Sequence, residues 1–160
     1  MTRLGLTCLV LASCSVATTT TTTTTAPPPE PTSSHENQLI PFDGETANLV
    51  IGGHSLTVAV ADTADERSQG LMEVSDLGDV DGMLFVFGES RTVSFTMRNT
   101  VIPLDIWFID DAGVIVNTLE MEPCPGEPCP GYDSVEEVAT ALETPLGVFE
   151  FEIGDPVEFE

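Results

Sequence analysis

Short apolar runs of strand length, each closed by a turn signal, constrain this chain more than any other feature. Gly82–Phe87, Gly-Met-Leu-Phe-Val-Phe, is continuously apolar over the length of one buried strand. Leu104–Ile109 is another, and Asp110-Asp111-Ala112-Gly113 turns the chain back into Val114–Leu119. Asn48–Ile51 and His54–Ala61 flank Gly52-Gly53, a dipeptide suited to the positive φ of a hairpin turn. Val93–Met97, Val138–Glu143 and the edge-like Pro156–Glu160 read as further strands. Thr63, with Glu66 three residues on, has the form of a capping box and predicts a short helix from Ala64 to about Leu71. Thr144 as N-cap with Pro145 at the first helical position predicts a second one. The sum is a mainly β fold: a compact antiparallel sandwich or jelly-roll-like domain, or a small barrel, with two short helices.

The strands occupy only residues 39–160, which predict a single domain. The first thirteen residues have the form of a lipoprotein-type signal peptide: a positive start at Arg3, a short apolar stretch from Leu4 to Ala12, and the box Leu11-Ala-Ser-Cys14. Cys14 is then the lipidated residue of the processed chain. Residues 14–38 hold an unbroken Thr18–Thr25 run and Pro27, Pro28, Pro29 and Pro31. Such a segment has nothing apolar to bury and predicts a disordered, semi-stiff tether. The expected location is extracytoplasmic, anchored to a bacterial membrane by lipid, and the expected state is a monomer.

Charge narrows the function classes. Against 27 Asp and Glu stand four Lys and Arg, all of them Arg, for a formal charge of −23. A surface of that sign repels phosphodiester backbones and excludes nucleic acid as a partner class. Cofactor and metal chemistry find no purchase either. His54 is the one histidine in the domain, so a His-rich metal site has no ligands to draw on. The acidic loop Ser75–Gly82 carries Asp76, Asp79 and Asp81, but Leu77 stands where calcium-loop spacing needs an oxygen. Cys124 and Cys129 frame Pro-Gly-Glu-Pro and, outside the cytoplasm, predict a structural disulfide.

Two apolar runs flank the polar patch Arg98-Asn99-Thr100, with Pro103 and Asp105 just beyond. In so acidic a chain an arginine is not filler, and its planar fork suits carboxylate or phosphate. Arg67, Arg98, Asn99, Thr100 and Asp105 form the candidate polar corner. Two readings stay open for it. Arg98 or Arg67 pairs with Asp105 in a half-buried structural corner, or the group faces a ligand.

The segments Glu66-Arg-Ser-Gln-Gly-Leu-Met72, Gly82–Phe87 and Phe95-Thr-Met-Arg-Asn-Thr-Val-Ile-Pro-Leu-Asp-Ile-Trp-Phe-Ile-Asp110 occur in an order that resembles the bacterial and archaeal domain-of-unknown-function family 192. The resemblance runs from about Leu49 to Glu158. It implies a compact, mostly β fold and no established activity. Its recurring positions fall on Arg67, Gly70, Leu71, Met72, Gly82, Met83, Met97, Asn99, Thr100, Pro103, Leu104 and Asp105, with Tyr132 and Gly154-Asp155 later, and the resemblance adds Tyr132 to the candidate polar corner. Thr96 stands where the family pattern has tryptophan, and Arg98 where it has lysine.

Three functions fit these observations. The first is a lipid-anchored binding or accessory module using the Arg98–Asp105 corner. The second is an enzyme with Asp105 as general base and Arg67 or Arg98 as anion stabiliser. The third is a structural envelope protein without a small ligand. No nucleophile–base pair is legible, so no catalytic residue is assigned.

Overall fold

Glycine pairs and strand-length apolar runs place the hairpins where the turn chemistry demands them. The structure, a computed structural model, describes residues 45–160. The expected signal peptide, the expected lipid-attachment residue Cys14 and the expected tether lie outside these residues. β1 (Thr46–Ile51) and β2 (His54–Ala61) pair antiparallel around Gly52 and Gly53, whose φ values are 56° and 84°. β3 (Gly82–Arg91), β5 (Leu104–Ile109), β6 (Ile115–Met121), β8 (Val138–Pro145) and β9 (Val157–Phe159) complete a seven-stranded sheet ordered β6-β5-β8-β3-β2-β1-β9. β4 (Ser94–Phe95) pairs with β7 (Tyr132–Asp133) in a small second ribbon.

All pairings in the large sheet are antiparallel except β2 with β3. Parallel neighbours need a crossover, and residues 62–81 supply it through helix α1 (Ala64–Gln69). The capping box forms as the sequence predicts: the Thr63 hydroxyl accepts from the Glu66 amide at 3.2 Å, and the Glu66 carboxylate accepts from the Thr63 amide at 2.9 Å. The bond from the Thr63 amide, foremost, holds the Glu66 carboxyl below its ordinary pKa.

The sheet curls until its edges touch. Val114 bridges Pro156, the Ile115 amide donates to the Asp155 carbonyl at 3.0 Å, and the Val157 amide donates to the Gly113 carbonyl at 2.8 Å. The result is a curled half-barrel, the small-barrel member of the expected fold classes. Period-two alternation then gives the sheet two apolar faces. Leu49, Leu56, Leu84, Leu142, Trp107, Ile115 and Val157, at least one from each of the seven strands, share one core with Phe151. Met83, Phe85, Ile106, Phe108 and Ala141 face the other way, under Leu71, Val74, Leu77 and Met97 from the crossover and the segment after β4.

The second helix does not form. Thr144 and Pro145 continue β8, pairing with Asp105 and Leu104 of β5. The Thr144 hydroxyl accepts from the Trp107 indole N–H at 3.1 Å instead of capping a helix, and the chain turns at Leu146 and Gly147, the latter at φ 72°. A buried cross-strand partner thus overrides a local capping signature. Cys124 and Cys129 form the expected disulfide.

Candidate functional site

The crossover and the β4 segment roof part of the second face, and they leave a cavity of about 700 Å³ beneath them. α1 contributes Ala64, Arg67 and Ser68 to it, the turn after α1 contributes Gly70, Leu71 and Met72, and β3 contributes Phe85, Phe87 and Arg91. The β4 segment adds Ser94, Phe95, Arg98 and Thr100, and β8 adds Glu143. Its wall is aromatic. Phe95 stands edge-on to Phe85 at 5.0 Å between ring centroids and to Phe87 at 6.4 Å.

Every arginine among the described residues lines this one cavity. Arg67 is braced: one guanidinium nitrogen donates to the carbonyls of Asp62 and Val86, tying α1 to β3. Arg91 lies over the Phe87 ring at 5.2 Å. Arg98 meets Glu127 at 3.9 Å, with both side chains more than half exposed. An exposed pair that long contributes little, so the Arg98 fork is available to another anion.

Glu143 sits on β8 between Met83 of β3 and Ile106 of β5, both fully buried. It is itself 5 % exposed, and burial pushes its carboxyl up to about 8. No hydrogen bond or ion pair from the described residues engages that carboxyl, and no sealed side-chain polar atom among them lacks a partner. The carboxyl therefore opens to the cavity. Gly82 makes room for this strand: a Cβ there would stand 2.2 Å from the Glu143 carbonyl oxygen.

The structure brings Arg67, Arg98 and Thr100 of the expected corner together and leaves the other three elsewhere. Asp105 does not face Arg98. Leu104 and Ile106 point to the second core, so alternation sends Asp105 to the opposite face, beside Trp107. There it accepts the Gly147 amide at 2.7 Å; desolvation raises its pKa, the Gly147 bond opposes the rise, and neighbouring Glu120 adds to it. Asn99 adopts φ 58° and gives its carbonyl to the Glu73 amide at 2.8 Å, a turn role suited to asparagine. Tyr132 pairs with Phe95 across the small ribbon, and its hydroxyl accepts from the Glu122 amide at 3.3 Å. Glu143 and Arg91 were not among the expected site residues. The signal for Glu143 was parity: it lies in phase with Ala141 on a strand whose neighbouring positions are all buried. No group of three or more His, Cys, Asp or Glu is arranged to hold a metal among the described residues.

Comparison with known proteins agrees with this architecture. A crystal structure from Sinorhizobium meliloti 1021, described as a "putative transcription regulator", is 36% identical with a TM-score of 0.63; the match covers 71% of this chain and 92% of that one. A protein of unknown function from Novosphingobium aromaticivorans DSM 12444 is 28% identical with a TM-score of 0.58, over 71% of this chain and 83% of the other. No curated protein matches. The model of the DUF192 family, described as "Uncharacterized ACR", matches residues 47–159, which takes in both cores and the whole cavity. The chain belongs to domain-of-unknown-function family 192.

Proposed function

We propose that the protein is a lipid-anchored extracytoplasmic binding module whose ligand is a small organic anion with an apolar body. One observation carries the reading: in a chain of formal charge −23, the three arginines of the described residues all line one cavity, against a phenylalanine wall. Guanidinium groups supply the anion site and the rings supply apolar area. Lipid attachment at Cys14 and the Thr/Pro tether are the anchoring half of the proposal.

The other readings find less support. An enzyme using Asp105 with Arg67 or Arg98 needs them in one site, and Asp105 lies on the opposite face, next to Glu120. A purely structural envelope role gives no reason to gather the cations at a cavity. The word "regulator" in the description of the Sinorhizobium protein finds no electrostatic counterpart here, because a surface this acidic repels a nucleic-acid backbone.

Calorimetric titration with benzoate, phenyl phosphate and uncharged benzamide tests the cavity. Both anions bind, benzamide does not, and Arg98→Ala weakens the anions by roughly tenfold or more, in line with loss of a charge-assisted contact. Equal binding of benzamide and benzoate overturns the anion assignment. Membrane fractionation tests the anchor: Cys14→Ser moves the protein to the soluble fraction.

A further inference from the structure

We propose that Glu143 is the specificity-determining residue of this cavity, donating a hydrogen bond to the far end of the bound anion, so that the site selects an organic acid carrying a neutral acceptor oxygen, such as a ketone or ester carbonyl. The assignment rests on the cavity being the ligand site and names the ligand class within that reading.

Geometry carries it. Glu143 leaves the sheet between Met83 and Ile106, so the only polar space its carboxyl meets is the cavity. Among the described residues, the charged groups that share the cavity with it are Arg67 from α1, Arg91 from β3 and Arg98 from the segment after β4, with no second carboxylate. Each arginine already has local company, in carbonyls, a phenylalanine ring and Glu127 respectively. None offsets the burial of Glu143, whose carboxyl is raised to about 8 by desolvation alone. At neutral pH it is a carboxylic acid with one proton to donate and no acceptor engaged among the described residues.

The same facts exclude the other ligand ends. An ammonium group would have to enter among three guanidinium groups to reach an acid that is not ionised. A purely apolar end would cover the O–H and leave it unpaired, a loss that discriminates between ligands more sharply than a missing methylene does.

Three para-substituted benzoates separate these cases: acetyl (acceptor), isopropyl (apolar, similar shape) and aminomethyl (cation). In the full-length protein, calorimetry at pH well below 8 gives the acetyl compound an advantage of about tenfold over isopropyl. The advantage disappears above about pH 8, where Glu143 ionises. Glu143→Gln keeps it at every pH, because the amide still donates, and Glu143→Leu lacks it at every pH while still binding the isopropyl compound. Equal binding of acetyl and isopropyl by the wild type overturns the donor role and leaves the anion cavity standing. Tightest binding of the aminomethyl compound, strengthening as pH rises, reverses the assignment to a cation site. Failure of all three to bind the folded protein removes the anion cavity and this inference together.

Discussion

A carboxyl held at the centre of a sheet ties the stability of this domain to pH. Glu143 is ionised above about 4.5 in the unfolded chain and above about 8 in the folded one. The folded state therefore holds the proton across that window while the unfolded state releases it. Its contribution is fully present below about 4.5, declines as pH rises, and is gone once pH passes about 8. The slope is roughly 1.4 kcal/mol per pH unit for one such group, an upper figure where water enters the cavity. Other carboxylates titrate too, so the difference between wild type and Glu143→Gln isolates the effect. Urea unfolding at several pH values is expected to show Glu143→Gln gaining on wild type as pH rises from 5 to 8, then holding a constant lead. Val135 offers a second test at this scale. It is 79% exposed and adopts φ 65°, a conformation a β-branched residue reaches only with strain. Val135→Asn sacrifices no packing and is expected to stabilise the domain by about 1 kcal/mol in the same experiment.

At the scale of elements, close approach and local ties shape the cavity. β3 and β8 touch at Gly82, where a methyl group would meet the backbone of Glu143, not a movable side chain. Gly82→Ala forces the strands apart at the parallel-to-antiparallel junction of the sheet and is expected to cost ~3 kcal/mol or more, read as a lowered urea midpoint. On the opposite rim, Cys124 donates its amide to the Met97 carbonyl at 3.2 Å and bridges Arg98, and the disulfide closes the loop that also carries Glu127. Replacing both cysteines by serine is expected to remove roughly 2 kcal/mol by the chain-entropy model. Anion affinity falls with it, since Arg98 loses its backing. Elements of this kind were unevenly legible in the sequence. Gly52-Gly53 and the Thr63/Glu66 capping box act through neighbours in the chain, so their signals survive without tertiary context. Thr144-Pro145 mimics a helix start because the indole of Trp107, which claims the Thr144 hydroxyl, is 37 residues away in sequence. Asp105 looked like a partner for Arg98 because the two are close in the chain. Strand alternation separates them onto different faces, and the same alternation, followed along β8, points Glu143 into the cavity.

Over the whole molecule, like charge acts against the compact state. Between described residues one ion pair forms, Arg98 with Glu127 at 3.9 Å, and both partners are largely exposed. Asp and Glu far outnumber the three Arg of these residues, so most of their charge has no described cation to pair with, and folding brings those carboxylates closer together than they are in the expanded chain. Screening should relieve that repulsion, with little attraction to lose in exchange. The Debye length falls from about 30 Å at 0.01 M salt to about 3 Å at 1 M, which is less than the spacing of most surface charges. The melting temperature is therefore expected to climb by several degrees across that range, most steeply at its low end, opposite to a protein held by surface ion pairs. Sodium and tetramethylammonium chloride should act alike there if the effect is screening. A fall in melting temperature on adding either salt would mean that attractive pairs outweigh the repulsion. A gain confined to sodium would point instead to cation binding among the carboxylates.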